Sequence, residues 1–161
     1  MTDNIFLQEG SAFYAEAYNG ALLLQLMGKP KITMEFPKDY PNSTWAEGDV
    51  LTKMVQSKLV LENTEISGDN IILSANQLNG KITFTIYPNI EPIASWGTIT
   101  WTGGSLCDVY QNTTLLLANQ VSGFSLSGQD LGCEVLKFEF SLNNTSSTFG
   151  LFDFEIHCGG I

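Results

Sequence analysis

Arginine is absent from this 161-residue sequence, in which all seven basic residues are lysines. The chain therefore lacks the planar guanidinium group that binds carboxylates, phosphates and guanine edges through paired hydrogen bonds. Its 17 acidic residues give a formal net charge of −10, which repels the phosphate backbone of nucleic acids. Direct nucleic-acid binding is therefore not expected.

Long apolar runs and a secretion signal are also missing. The longest aliphatic runs, residues 22–24 and 115–118, are far shorter than the roughly 20 residues that a membrane-spanning helix needs. Residues 1–6 have neither a basic start nor an apolar core, so no signal peptide is predicted. We therefore expect a protein that is made in the cytoplasm and does not bind membranes.

Residues that carry chemistry are few. Three widely spaced cysteines, Cys107, Cys133 and Cys158, cannot form a complete disulfide framework, which favours a reducing compartment. The only histidine, His157, lies beside Glu155 on the polar side of a predicted strand, where a solvent-facing imidazole is the simpler interpretation. The sequence has no Cys-x-x-Cys, no histidine pair, no calcium loop and no phosphate-binding glycine loop, so no metal or cofactor is predicted.

Paired carboxylates leave one enzymatic alternative open. Glu134 with Glu139, or Asp153 with Glu155, could serve as the acid and base of a glycosidase. Such pairs also arise by chance in an acidic chain, and no enzymatic activity is predicted.

Alternating apolar and polar residues dominate what the sequence does contain. Two runs near the C-terminus, residues 134–142 and 149–158, have the period of two that is typical of half-buried strands. The linker 143–148 consists of Asn, Thr and Ser, so the runs are predicted to form an antiparallel hairpin. The apolar face of this hairpin, expected at the centre of the core, consists of Phe138, Phe140, Leu142, Phe152, Phe154 and Ile156.

Similar runs occur at short intervals through the rest of the chain. Asn19-Gly20 and Asn79-Gly80 are hairpin signals, and residues 67–70 predict a further turn. In the run 95–102, strict alternation places Trp96 on one face and Ile99 and Trp101 on the other. Roughly 9–11 strands at this spacing predict a single all-β domain, residues 1–161, built as an antiparallel sandwich or a Greek-key or jelly-roll-like barrel.

One segment is a candidate for a short helix. Asp49 to Gln56 begins with a capping residue, and its apolar residues recur at a spacing of four. The alternative is a strand that continues through residues 59–61.

Exposed aromatic residues would favour carbohydrate binding. Trp45, Tyr40, Trp96 and Trp101, with Tyr87 and Tyr110, could form a platform on which sugar rings stack. The alternative is that these rings fill the core, as most aromatic residues do in such folds.

The combination of these features favours a non-catalytic subunit of a symmetric assembly, acting through contacts with copies of itself or with other subunits. Three segments are candidates for such contacts: an N-terminal arm, residues 1–10, that includes Ile5 and Phe6; the long loop 37–48; and the turn 143–148, with Asn143 and Asn144. In general character, though in no particular motif, the sequence resembles the small β-structured virion proteins of tailed bacteriophages. That resemblance implies a capsid-decoration or tail-tube-like subunit, located in a virion.

Overall fold

The computed structural model describes residues 31–40, 43–51, 55–88, 93–129, 131 and 134–158. In these ranges the chain is all-β, and the predicted fold class is confirmed. The strands are β1 (Lys31–Phe36), β2 (Gly48–Leu51), β3 (Val55–Glu62), β4 (Thr64–Ser67), β5 (Asn70–Leu73), β6 (Asn79–Pro88), β7 (Ile93–Trp101), β8 (Leu106–Gln111), β9 (Thr114–Gln120), β10 (Phe124–Ser125), β11 (Leu136–Asn143), β12 (Thr148–Phe149) and β13 (Phe152–Cys158).

Two antiparallel sheets form a sandwich. The larger has the strand order β2-β3-β6-β11-β8-β9, and the smaller has the order β1-β13-β7-β10. Alternate residues of β3, β6 and β11 are fully buried, because one face of the larger sheet packs on the smaller one. The predicted core residues are confirmed, since each of Phe138, Phe140, Leu142, Phe152, Phe154 and Ile156 is at most 1% exposed.

A third sheet, of order β12-β5-β4, covers one end of the sandwich. Its buried residues, Ile71 and Phe149, belong to the same core as the two large sheets. The Phe149 ring lies 4.6 Å from that of Phe140 and 5.7 Å from that of Trp45. This small sheet therefore closes the end of the core between the layers.

The predicted C-terminal hairpin is wrong. β11 pairs with β6 and β8 in the larger sheet, whereas β13 pairs with β1 and β7 in the smaller one. The chain turns after Asn143, passes through β12 in the third sheet and enters the opposite layer. The two apolar faces still meet, with Phe152 5.4 Å from Phe138 and 5.3 Å from Phe140. Periodicity identified the buried faces, but it does not specify whether two such strands pair side by side or face each other.

Two of the predicted turns can be compared with the structure. The turn between β4 and β5 is confirmed, with Gly68 at φ 62°. The Asn79-Gly80 turn is wrong, because both residues begin β6, and the chain reverses earlier, in residues 74–78. A Cβ on Gly80 would lie 2.8 Å from Leu73 Cδ2, so this glycine permits close packing of the third sheet.

The candidate helix is also wrong. Its first part belongs to β2 and its last residues to β3, and the two strands pair in antiparallel register with Asp49 opposite Lys58. The alternative strand is therefore confirmed for Val55–Glu62. Residues 52–54, the Asn19-Gly20 hairpin and the N-terminal arm with Ile5 and Phe6 lie outside the described residues.

Strict alternation fails in β7. Ile99 lies opposite Phe154 and Trp96 opposite Ile156, so the four residues 96–99 of β7 span only the three residues 154–156 of β13. This bulge turns Trp96 to the core side, where its ring lies 5.4 Å from that of Phe154. Trp96, Ile99 and Trp101 are therefore all buried, contrary to the two-faced prediction.

The part of the chain that the structure describes contains no helix that is long and apolar enough to span a membrane.

Phe140→Ala is expected to lower the free energy of unfolding by about 3–5 kcal/mol, because it removes a fully buried ring between the layers. Equilibrium denaturation in urea measures this loss. Phe124→Ala, which truncates a ring that is only partly buried on β10, provides the matched control and should cost less. Equal and small losses for both variants would contradict the position of Phe140 in the core.

Candidate functional site

Four of the six aromatic residues that were candidates for sugar stacking are buried, and the other two, Tyr87 and Tyr110, are partly buried. Trp45, Tyr40, Trp96 and Trp101 all belong to the hydrophobic core. The Trp45 indole Nε1 donates a hydrogen bond to the Asp69 carbonyl at 3.0 Å, and Trp101 Nε1 donates to the Ser105 carbonyl at 3.1 Å. These four rings therefore stabilise the core and its loops and do not form a surface platform.

Among the described side chains, the histidine and the cysteine that could serve in catalysis are not brought together. His157 lies on the outer face of the smaller sheet, with its Nε2 3.5 Å from Glu155 Oε1. Cys107 is buried on the inner face of the larger sheet, and burial raises the pKa of its thiol, with a smaller contribution from Asp108. A thiol that is held neutral and away from the imidazole is a core residue rather than a nucleophile.

The four carboxylates that were candidates for an acid and base pair lie in different surroundings. Glu134 accepts a hydrogen bond from the Asn112 side chain, while Glu139 pairs with Lys81 and Lys137 on the outer face of the larger sheet. Asp153 and Glu155 lie on the outer face of the smaller sheet. Among the residues that the structure describes, no group of three or more His, Cys, Asp or Glu side chains is placed to hold a metal ion.

Asp153 has an altered acidity. Partial burial raises the pKa of its carboxyl group, and the neighbouring carboxylates of Glu35 and Glu155 raise it further. The Thr100 hydroxyl donates a hydrogen bond to Asp153 Oδ1. The outer face of this sheet is therefore locally acidic.

A groove of about 510 Å³ lies at the end of the sandwich that the third sheet covers. Four separate segments line it, and their contributing residues are Pro37, Lys38, Ser43, Asp69, Asn70, Thr102, Gly150 and Leu151. The first of these segments belongs to the loop 37–48, which the sequence analysis named as a candidate contact element.

Main-chain hydrogen bonds fix the walls of this groove. The Thr102 N–H donates to the Leu151 carbonyl, and the Gly150 N–H donates to the Thr102 carbonyl, each at 2.9 Å. Trp45 ties its loop to the β4–β5 turn through the Asp69 carbonyl. Next to Thr102, Gly103 has φ 118°, and a Cβ there would collide with the carbonyl oxygen of Thr148. The segments are thus held in place by contacts beneath the groove.

The turn 143–148 is well ordered by its own side chains. Asn143 Oδ1 accepts hydrogen bonds from the main-chain N–H groups of Thr145 and Ser146 and from the Thr145 hydroxyl. Asn144 is exposed at the tip. The structure thus presents this candidate contact element as a compact Asx-type turn.

The most unusual surface lies at the lateral edge formed by β9 and β10. Residues 109–129 contain no Asp, Glu, Lys or His, although the whole chain has a net charge of −10. Within the described residues, β9 is the last strand of the larger sheet and β10 the last strand of the smaller one. We call this edge, residues 109–129, the charge-free edge.

The charge-free edge is held to the sandwich but presents apolar side chains to solvent. The Gly123 N–H donates to the Ile99 carbonyl, and the Ser122 hydroxyl both accepts from the Trp101 N–H and donates to its carbonyl. Leu115 and Val121 nevertheless remain 50% and 64% exposed.

The opposite lateral edge is charged. It consists of β1 and β2 with the loop between them, and it carries Glu35, Lys38, Asp39, Glu47 and Asp49. Charges on edge strands are a common protection against unwanted pairing between chains. The two sides of the sandwich therefore differ in their capacity for contact.

Comparisons with models of known protein families, with curated proteins and with solved structures found no match.

Neither the groove nor the charge-free edge could be located from the sequence, for different reasons. The absence of charge from residues 109–129 is visible in the sequence, but its position along both sheet edges is not. The groove residues come from four segments, and no local pattern links Lys38 with Asn70, Thr102 and Leu151.

Gly103→Ala is expected to lower the free energy of unfolding by about 3 kcal/mol. Roughly 1–2 kcal/mol follows from placing a Cβ at positive φ, and about 1–2 kcal/mol from the collision with Thr148. Gly48→Ala is the matched control, since Gly48 has φ 101° but no atom within 4 Å of the added Cβ. If urea denaturation gave the same loss for both variants, the close approach beneath the groove would be disproved.

Asp153→Asn is expected to increase stability at pH 7. Because the pKa of Asp153 is raised above its ordinary value of 3.8, ionisation of this group opposes folding. The penalty is fully present above the folded-state pKa, decreases as the pH falls through it, and disappears below 3.8. Asn cannot ionise, so the two proteins should be about equally stable at a pH below 3.8.

Urea denaturation of both proteins across this pH range measures the difference. Asp49→Asn removes the same formal charge at an exposed position on the larger sheet and serves as the control. Equal stabilisation by both substitutions would mean that only the reduced net charge matters.

Proposed function

We propose that this protein is a non-catalytic structural subunit of a symmetric assembly and that the charge-free edge contacts a neighbouring subunit. The assembly is of the kind formed by small β-structured virion proteins of tailed bacteriophages, either as capsid decoration or in a tail tube. The observation that carries the proposal is the absence of charge from residues 109–129 in a chain of net charge −10.

Electrostatics favours this edge as the contact. Two copies with a net charge of −10 repel each other, so an approach through acidic surface costs free energy. The buried centres of protein interfaces are depleted in charged residues. The residues of the charge-free edge carry no charge themselves, and two carboxylates contact them, Asp108 at the Asn119 N–H and Glu134 at the Asn112 side chain. The opposite edge carries Glu35, Glu47 and Asp49 within its own strands and loop.

The irregular geometry of β9 favours a contact through side chains over extended main-chain pairing. β8 and β9 pair with two register shifts, and the Asn119 N–H bonds to the Asp108 carboxylate. Bulges of this kind twist an edge strand and limit the length of any ladder that it can extend. The proposed contact therefore relies on the exposed side chains Leu115 and Val121, with only short main-chain pairing.

The remaining surface is consistent with a role in assembly. A negative charge elsewhere on the subunit would keep DNA from adhering to a tube lumen or a capsid exterior. The Asn143 turn, compact and exposed, is available for a second contact. No catalytic step is part of this proposal.

The double substitution Leu115→Lys with Val121→Lys is expected to abolish self-association. It places positive charge in a contact that excludes charged residues, so each desolvated ammonium group would cost several kcal/mol. Size-exclusion chromatography with light scattering, followed by negative-stain imaging, would compare the variant with the unmodified full chain. For the unmodified chain we expect rings, tubes or discrete oligomers, and a higher salt concentration should strengthen them by screening the net repulsion.

Leu51→Lys with Leu78→Lys provides the matched control. These leucines are 66% and 69% exposed, as accessible as Val121, but they lie outside the charge-free edge. The control double variant should assemble normally. Loss of assembly in both variants, or a monomeric unmodified chain that recovers no partner from its native source, would contradict the proposal.

A further inference from the structure

The groove at the end of the sandwich is a second candidate for binding, independent of the charge-free edge. Its volume of about 510 Å³ lies within the range of roughly 300–1,000 Å³ that is typical of small-molecule sites. Its lining comes from the loop after β1, the β4–β5 turn, the end of β7 and the connection between β12 and β13. Because these segments are distant in the sequence, only the fold brings their side chains together.

The polar groups of the groove suit a ligand with many hydroxyl groups. Thr102 offers a hydroxyl that both donates and accepts hydrogen bonds, and Asn70 offers a side-chain amide that does the same. The Ser43 hydroxyl donates to the Lys38 carbonyl at 3.3 Å, so it offers a ligand an acceptor. Lys38 supplies further donors and Asp69 further acceptors. A ligand that is itself a mixture of donors and acceptors can satisfy such a lining.

The charges of the groove disfavour an anionic ligand. It contains one ammonium group, Lys38, and one carboxylate, Asp69. The ammonium group is already 3.5 Å from Glu35 Oε1, so its field is partly compensated. An anion would be opposed by Asp69 and Glu35, and the compensated Lys38 ammonium group offers it little attraction.

Most of the exposed lining of the groove is apolar. Pro37 and Leu151 contribute hydrocarbon surface next to the polar groups. A sugar ring presents C–H faces together with hydroxyl groups and can use both kinds of surface. Since the aromatic rings of Trp45 and Tyr40 are buried, no stacking contribution from them is expected, and binding should be weak.

We propose that this groove binds a neutral saccharide through Asn70, Thr102 and Ser43, with its C–H face against Leu151.

The groove wall contains a natural reporter of occupancy. The Trp45 indole N–H donates to the carbonyl of Asp69, which lines the groove. Its NMR resonance should therefore respond to a ligand, whereas that of Trp96, which packs on Phe154 in the core, should not. Both resonances come from the same ¹⁵N-labelled full chain.

The test is a titration of the full chain with maltose, lactose, sucrose and N,N′-diacetylchitobiose, with glycerol as the control for non-specific solvent effects. At least one disaccharide should shift the Trp45 indole resonance in a saturable way, with a dissociation constant of roughly 1 mM. Glucuronic acid, as an anionic sugar, should bind more weakly than the best neutral disaccharide. No saturable shift with any disaccharide, an equal response to glycerol, or preference for glucuronic acid would overturn the proposal.

Two substitutions locate the site. Thr102→Trp should abolish the saturable shift by filling the groove, whereas Thr33→Trp, at an exposed threonine on the outer face of the smaller sheet, should leave it intact. Asn70→Ala should weaken binding by about fivefold through loss of one hydrogen-bonding group. If the Thr102 variant does not fold, the Asn70 variant decides alone. Unchanged binding in Asn70→Ala would overturn the assignment.

Discussion

The fold depends on a packed group of phenylalanine rings between the two large sheets, with Phe152 at its centre. The Phe152 ring lies 6.3 Å from that of Phe36, 5.0 Å from Phe84, 5.4 Å from Phe138 and 5.3 Å from Phe140. These distances are those of favourable aromatic pairs. Because the partners come from β1, β6 and β11, this one side chain connects both layers of the sandwich.

The two lateral edges of the sandwich differ in their charged residues rather than in the presence of exposed apolar residues. Exposed apolar residues such as Leu51, Leu78 and Val121 occur at several positions and are ordinary for a protein surface. The lack of any charged residue across 109–129 is a property of one edge alone among the two lateral edges described. In an acidic chain, repulsion between copies would disfavour a contact through the charged edge, and for this reason the proposed contact is placed at the other edge. The groove lies at the end of the sandwich, where the loops meet, so the two proposed contacts use different elements.

Sequence patterns predicted which face of a strand is buried better than they predicted which strands pair with each other. Phe138 and Phe154 were correctly assigned to the core, because alternation reports which side of a strand is apolar. The hairpin between their strands was wrong, since alternation is the same whether a strand pairs with its neighbour or packs across from it. Trp96 was misplaced because a bulge in β7 shifts the alternation by one residue, and this bulge is defined only by pairing with β13. The candidate helix failed because Asp49 and its neighbours pair with β3, and tertiary pairing overrides a weak local preference.

Composition and alternation alone establish the all-β class, the buried faces of the two C-terminal strands and the acidic, arginine-free character of the chain. These properties follow from local alternation and from composition, which do not depend on how the strands are ordered. The tertiary structure alone shows that Trp45 and Tyr40 are buried, that β9 and β10 are edge strands of the two large sheets, and that Lys38, Asn70 and Thr102 share a groove. Each of these is a relation between segments that are distant along the chain. Long-range pairing and packing establish such relations, and no local pattern of residues encodes them.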